Sequence, residues 1–332
     1  MASNAPAILS TVGVVVIGRN EGSRLQSCFS SGVREAPFIV YVDSGSTDGS
    51  AKLARSLGTV TVELDPATAF SAARARNEGF RRLQQMHPHL KFVQFVDGDC
   101  ELHAGWLEAG ARFLGDHADS AVVSGRLREK HPGNSIYNTL CDMEWDVPSG
   151  EAKDCGGIAM MRANAFDAAQ GFRVGLIAGE EPELCVRLRK QGWKIWRIGQ
   201  EMALHDVAMT RFGQWWTRTQ RGGHAIAQGA TLHIGPHERY GIREVRSILV
   251  WGMAIPLLAL GLTVLVGLPG MLVLALYPLQ IMRLALRGCR SSRENWLYAT
   301  FLIVGKLPAM LGLIQFYVRR SLGRQSRLME YK

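Results

Sequence analysis

The chain has 332 residues, enough for one large domain or two ordinary ones with a substantial core. Apolar residues make up 47% of it, which is high for a soluble enzyme, and the formal net charge is +9. Residues 283–332 carry eight of these nine net charges, beside long uncharged runs. Cations that flank apolar spans fit anionic lipid headgroups better than nucleic acid. We therefore expect a protein that contacts membrane lipids and has no nucleic-acid partner.

The N-terminus and the cysteines carry no targeting or redox signal. The first ten residues lack the basic patch and apolar core of a signal peptide, so we expect the first domain to stay in the cytosol. The six cysteines lack the paired spacing of a zinc site or a disulfide framework. We expect them to be reduced packing residues.

Short apolar runs alternate with polar helical stretches through the N-terminal part of the chain. Strands are predicted at residues 12–17, 38–42, 59–64 and 92–96, with a helix over 71–86. The strands end in small or acidic residues. This alternation predicts an α/β fold with a mostly parallel sheet, whose ligands bind beyond the carboxyl ends of the strands.

The C-terminal part contains two runs of nearly uncharged residues, 248–266 and 268–286. Each approaches the roughly 20 residues needed to cross a bilayer. The sequence Gly267-Leu268-Pro269-Gly270 between them is a turn signal, so we predict a helical hairpin. The chain is thus expected to divide into an enzyme domain over 1–240 and a membrane-associated helical region over 241–332.

A third apolar stretch, residues 296–318, contains Lys306 and is followed by several arginines. If this stretch crossed the membrane, those arginines would lie outside the cytosol, against the positive-inside rule. We therefore expect it to lie at the interface or to re-enter, which leaves the C-terminus in the cytosol.

Two aspartates follow the strand predicted at residues 92–96. In extended chain, the spacing of Asp97 and Asp99 points both side chains to one face. Two carboxylates at a strand end can hold Mg²⁺ or Mn²⁺ and leave coordination positions for phosphate oxygens. A solvated turn around Gly98 is the alternative interpretation.

Polar residues at the other strand and helix ends extend this candidate site. Asp43 ends the second strand and could accept a hydrogen bond from a nucleobase N–H, or it could cap a turn. Arg74 and Arg76 lie on the helix before Asp97. Either could reach a diphosphate, and a solvated helix face is the alternative.

Two glutamates at a predicted helix entrance are candidates for a general base. Glu180 and Glu181 lie at the positive end of that helix, which favours ionised carboxylates. Ordinary helix capping is the alternative. His205 follows a strand predicted at residues 194–198 and the apolar residues 202–204. It is either a core histidine or a ligand that completes the metal site, where an imidazole suits Mn²⁺ better than Mg²⁺.

Taken in order, these segments resemble the inverting glycosyltransferases of family 2, which have the GT-A fold, and in particular their membrane-attached bacterial type. The resemblance covers roughly residues 8–210. It rests on six ordered motifs: VVVIGRNE at 14–21, VDSGSTDGS at 42–50, ARNEG at 75–79, FVDGD at 95–99, CGGIAMMR at 155–162 and GEEPELCVRLRKQGW at 179–193.

The resemblance implies a role for each candidate residue. Glu181, in place of the family's usual aspartate, or its neighbour Glu180 would be the general base. Asp99 would ligate the metal, and His205 lies where many members have a histidine after the base motif. The donor-binding residues would be Asp43 and Glu21 at the nucleoside, Arg76 at the base or phosphate, Asp97 at the ribose or metal, and Arg218 and Arg221 over the diphosphate.

The expected activity follows from these roles. One sugar would pass from a UDP- or GDP-linked donor to an acceptor hydroxyl, on a lipid-linked or surface glycan, with Mn²⁺ or Mg²⁺ as cofactor. The enzyme would lie at the inner (cytoplasmic) membrane with its catalytic domain on the cytosolic side. A polyprenyl-phosphate glycosyltransferase and a non-catalytic membrane scaffold are the alternatives, whereas a dehydrogenase is disfavoured because no GxGxxG follows a strand.

Overall fold

The computed structural model describes residues 5–233 and 239–323. The chain forms two compact units. The first consists of Met1–Asn134, Glu144–Leu176 and Glu180–Ala208, and the second of Ser135–Met143, Ile177–Gly179 and Met209–Lys332.

The first unit is built on a mixed β-sheet. Its strands in the described residues are β1 (Val12–Gly18), β2 (Phe38–Asp43), β3 (Val60–Glu63), β4 (Phe92–Asp97), β5 (Cys100–Leu102), β6 (Ser120–Glu129), β7 (Gly150–Ala152), β8 (Ala159–Arg162) and β9 (Lys194–His205). Their spatial order is β3-β2-β1-β4-β8-β6-β9-β5, with β7 paired to β9. The first four are mutually parallel, β8 is antiparallel to both neighbours, and β6 is parallel to β9.

The predicted strands and helix are confirmed, each to within one residue at either end. β1 is buried along nearly its whole length, as a central parallel strand must be. The register pairs Gly18 with Asp43 and Ile17 with Asp97, so both aspartates end their strands at the same edge of the sheet. The α/β fold with a parallel region is therefore confirmed, and its acidic residues are where the sequence predicted them.

Helices cover both faces of this sheet. They are α1 (Ala5–Leu9), α2 (Ser23–Ser30), α3 (Ser50–Ser56), α4 (Ala72–Met86), α5 (Trp106–Asp116), α7 (Ala163–Ala168) and α8 (Glu180–Lys190), with 3₁₀ turns at Gly32–Glu35 and Pro132–Asn134. Most of α6 (Ile136–Trp145) belongs to the second unit. Successive β1 residues face two separate cores, Val15 one and Val16 the other. Gly79 of α4 faces β1, where a Cβ would lie 2.4 Å from Val15 Cγ1, so close helix–strand packing requires the glycine.

The second unit is helical in its described residues. After α9 (Phe212–Leu232) come α10 (Ile242–Leu249), a π-helical turn (Val250–Ala254), α11 (Ile255–Val266), a 3₁₀ segment (Leu268–Ala275), α12 (Leu276–Arg287), α13 (Ser292–Val304) and α14 (Lys306–Ser321). Within this unit α9 packs against α14 around Ala227 and Leu313.

Three helical stretches of this unit are long and apolar enough to cross a membrane: Ile242–Val266, Leu268–Arg287 and Ser292–Ser321. The first two contain the predicted hairpin, and Gly267 between them has a φ of 78°. Val264 and Leu265 are each 79% exposed, as expected of side chains that face lipid. The third stretch is more covered by protein than the other two. Of its most apolar part, 44% is buried, compared with 17% in the first stretch and 11% in the second. Its interfacial placement stays a prediction.

Candidate active site

Arg76 of α4 brings three carboxylates together at the carboxyl edge of the sheet. Its Nη2 donates to Asp97 Oδ1 at 2.8 Å. Its Nη1 donates to Glu180 Oε1 and to Glu181 Oε1, each at 2.8 Å. The side chain of Arg76 is only 3% exposed, which excludes a solvated helix face for this residue. Arg74 points elsewhere and donates to the carbonyls of Asp65 and Thr68.

Acidic groups outnumber basic groups in this cluster, because one guanidinium faces three carboxylates. Burial and then repulsion from Glu180 raise the pKa of Glu181 to about 7, although the Arg76 cation opposes the rise. Burial works against the charge of Arg76 itself, yet the three carboxylates raise its pKa above the usual range. Arg76 therefore stays charged, while Glu181 can take up or release a proton near neutral pH.

The local sequence explains how the two glutamates reach this cluster. They are the first two residues of α8, where the unpaired backbone N–H groups favour carboxylates. Glu183, one residue past Pro182, is 0% exposed and pairs with Arg187 at 2.8 Å. The acids of the first turn thus have separate tasks, since Glu180 and Glu181 contact Arg76 and Glu183 stabilises the helix.

Gly157 lies directly against the same cluster. A Cβ at this position would lie 2.6 Å from Arg76 Nη2 and 2.9 Å from Glu181 Oε1. A side chain here would collide with charged groups that three ion pairs hold in place. The sequence motif at residues 155–162 contains this glycine, but its spacing carries no sign of the contact.

Asp99, Cys100 and His205 form a second cluster whose ligand atoms lie within 4.8 Å of one another. The antiparallel pairing of β5 and β9 sets Cys100 opposite His205 and brings His205 Nε2 to 3.3 Å from Asp99 Oδ1. Two of the predicted metal residues therefore meet. Asp97, the third, is not part of this cluster, and its Oδ1 accepts the bond from Arg76.

The chemistry of this donor set favours a hard or borderline divalent cation. Burial raises the pKa of the Cys100 thiol well above its usual range. The thiol donates to Asp99 Oδ1 at 3.5 Å. The carboxylate of Asp99 and the imidazole of His205 are a pair that suits Mn²⁺. Sequence reasoning missed Cys100 because a single thiol has no ligand spacing.

The predicted donor-binding residues have local partners. Asp43 is 2% exposed; its Oδ2 accepts from the N–H groups of Gly45 and Ser46, and its Oδ1 from the Tyr41 hydroxyl at 3.0 Å. The turn-capping alternative is therefore realised at Asp43, and its contact with a nucleobase stays a prediction. Glu21 Oε2 lies 2.8 Å from Arg24 Nη2.

The two arginines predicted to lie over the diphosphate are on α9 in the second unit. Arg221 Nε donates to the carbonyl of Ile177 at 3.0 Å, and Arg218 is half-buried. Their proximity to a donor stays a prediction.

Residues 13–167 match the sequence model of the family described as "Glycosyl transferase family 2". The chain is 22% identical to "Glycosyltransferase AglE" of Haloferax volcanii over 261 residues, which are 73% of this chain and 80% of that relative.

Solved structures share the fold at low sequence identity. "Mannosyltransferase PcManGT from Pyrobaculum calidifontis in complex with GDP-Man and Mn2+" superposes with a TM-score of 0.62 at 19% identity, over 92% of this chain and 87% of that one. TarS 1–349 of S. aureus superposes with a TM-score of 0.51 at 12% identity, over 96% and 93%. Residues 13–167 therefore form a glycosyltransferase family 2 domain, the fold is that of GT-A glycosyltransferases, and the chain carries helices apolar enough to span a membrane.

Proposed function

We propose that this glycosyltransferase is an inverting, metal-dependent enzyme that transfers one sugar from a UDP- or GDP-linked donor to a hydroxyl of a lipid-linked or surface glycan. The observation that carries the proposal is the Arg76 cluster. A single guanidinium joins Asp97, which belongs to the metal motif, to Glu180 and Glu181, which begin α8. The proposed metal-motif residue and the proposed base residues therefore contact the same guanidinium group.

Glu181 is the better placed of the two glutamates to act as the base. Its side chain is 13% exposed, against 6% for Glu180, so an acceptor hydroxyl has more access to it. In the proposed step Glu181 takes the hydroxyl proton while the hydroxyl oxygen bonds to the anomeric carbon. The bond from that carbon to the nucleoside diphosphate breaks on the opposite face, which inverts the configuration.

Asp99 and His205, together with Asp97, would hold the divalent metal. When bound, the ion would neutralise negative charge on the departing nucleoside diphosphate. The P. calidifontis mannosyltransferase, which shares the fold, is a complex with GDP-Man and Mn²⁺, and this supports the choice of metal and donor class. Asp43, Glu21, Arg218 and Arg221 are proposed to bind the rest of the donor.

The acceptor and the catalytic role can be tested directly. Purified protein is incubated with UDP- and GDP-sugars, with and without Mn²⁺, and nucleotide release is measured. The anomeric configuration of the product is then read by NMR. Release that needs metal and a hydroxyl acceptor, with inversion, supports the proposal. Transfer only to polyprenyl phosphate would favour the first alternative, because a phosphate acceptor needs no base, and no release from any donor would favour a scaffold.

The pH dependence of kcat/KM should report Glu181. The base must be deprotonated, so the rate should rise with pH through an apparent pKa of about 7. In Glu180→Gln this acid limb should move to lower pH, because repulsion from Glu180 contributes to the raised pKa. Nucleotide-release rates of the wild type and of Glu180→Gln across the neutral pH range measure the two acid limbs. An unchanged limb in Glu180→Gln would contradict the assignment.

The variant Gly157→Ala should lose activity without unfolding. Its Cβ would force apart Arg76 and Glu181, whose closest atoms lie at 2.6 and 2.9 Å from that position. Misplacement of a reacting group on this scale costs roughly 100-fold in rate. Gly156→Ala is the matched control, because its Cβ would meet nothing within 4 Å. Wild-type kcat/KM in Gly157→Ala would show that the cluster tolerates a displacement.

The membrane topology can be tested with a reporter that is active only outside the cytosol. The reporter should be active when inserted at the Gly267–Gly270 turn and silent at the C-terminus, because arginines at 319, 320, 324 and 327 follow the apolar stretch 296–318. Equal activity at both positions would instead indicate three crossings.

A further inference from the structure

Trp145, which the motifs do not include, packs flat against the imidazole of His205. The two ring centroids are 4.9 Å apart and the planes differ by only 5°. Trp145 is the last residue of α6 and His205 the last of β9. The same imidazole places Nε2 at 3.3 Å from Asp99 Oδ1. A stacked aromatic pair therefore lies directly beside the candidate metal cluster.

The neighbouring strands fix the backbone of His205. Residue 205 pairs with Cys100 of β5 and with Glu129 of β6. These pairings set the position of the Cα, whereas the terminal torsion of a histidine side chain has a broad distribution. A ligating imidazole needs one ring orientation, and contacts beyond the ligands normally provide it. The indole face of Trp145 supplies such a restraint.

The residues that follow Trp145 in the chain hold its backbone in place. The N–H of Val147 donates to the carbonyl of Trp145 at 3.0 Å, which closes a tight turn. Asp146 lies 3.8 Å from Arg126, and the chain then enters β7, which pairs with β9. The tryptophan is thus tied to the strand that carries His205.

We propose that Trp145 is a positioning residue that holds the His205 imidazole in the orientation needed to bind the divalent metal. This inference rests on the proposed metal-dependent function. The indole face also favours an imidazole that carries positive charge from a bound cation, because the ring quadrupole attracts cations. Trp145 would therefore affect metal affinity without touching the metal.

The test measures Mn²⁺ affinity by electron paramagnetic resonance, with the full-length chain in detergent and Mn²⁺ alone as the probe. In Trp145→Ala the Kd for Mn²⁺ should rise about 10- to 100-fold, the usual effect of losing a contact that orients a metal ligand. Trp145→Phe keeps a flat aromatic face and should restore most of the affinity. Trp196→Ala is the matched control, since Trp196 also contacts a histidine, His117, at a centroid distance of 6.1 Å. Its Kd should be that of the wild type.

The outcomes separate this inference from the proposal beneath it. Wild-type Mn²⁺ affinity in Trp145→Ala, together with lost affinity in His205→Ala, would overturn the positioning role and leave the metal site intact. Wild-type affinity in both variants would show that His205 does not bind the metal, and would overturn the role of Trp145 with it. Equal loss in Trp145→Ala and Trp145→Phe would also overturn the inference, because stacking alone would not explain it.

Discussion

Replacing Asp99 by alanine is expected to reduce metal-dependent nucleotide release to background while the protein stays folded. Asp99 is 5% exposed, and its carboxylate faces His205 in the cluster that can hold a cation. Without Asp99, His205 and Asp97 would hold the ion too weakly, so charge on the leaving diphosphate would no longer be neutralised. Alanine also removes a buried charge, so loss of stability should be modest.

Three measurements check this expectation. Nucleotide release is followed for wild type and Asp99→Ala with added Mn²⁺, and for wild type in EDTA. Circular dichroism during heating shows whether the fold survives. Asp116→Ala, which removes an exposed carboxylate at the end of α5, is the control and should behave as wild type. Full turnover of the wild type in EDTA would contradict metal dependence.

The central fold could be predicted because each strand carries its own local signal. The run around Val14–Ile17 is apolar on both faces, and α4 is preceded by Ser71, whose hydroxyl accepts a capping hydrogen bond from the N–H of Arg74. β9 was harder to predict. Its predicted part covered 194–198, whereas the strand extends to His205 because it pairs with β5, β6 and β7 through irregular register. Such partners lie far away in the sequence and leave no periodic pattern.

The candidate site, like the fold, could be predicted from the sequence only in part. Asp97, Asp99, Glu180 and Glu181 could each be predicted from a strand end or a helix entrance. The union of Asp97, Glu180 and Glu181 through Arg76 could not be predicted, because 104 residues separate Arg76 from Glu180 and no pattern spans that distance. The sequence analysis predicted that Arg76 binds the donor. The structure shows in addition that Arg76 forms ion pairs with three carboxylates.

The largest loss of turnover that leaves donor binding intact is expected for Glu181→Gln. Glutamine has nearly the same shape, and its Oε1 can still accept from Arg76 Nη1, which now holds Glu181 Oε1 at 2.8 Å. The amide cannot take a proton at neutral pH. Loss of a general base costs typically 10²- to 10⁴-fold in rate, so kcat should fall by about that factor. Donor affinity should stay near the wild-type value because the base acts only in the transition state.

Glu180→Gln is the informative partner variant, because Glu180 contacts the same Arg76 nitrogen but is the more buried of the two. Glu180→Gln should keep most of kcat, and the acid limb of its kcat/KM profile should lie at lower pH than in the wild type. Glu183→Gln should act differently again, since it weakens the pair with Arg187 and should lower the unfolding temperature. Single-turnover rates and calorimetric donor binding for the three variants separate chemistry from binding and from folding. If Glu180→Gln is inactive and Glu181→Gln turns over at the wild-type rate, the base is Glu180, and the more exposed carboxylate only positions Arg76.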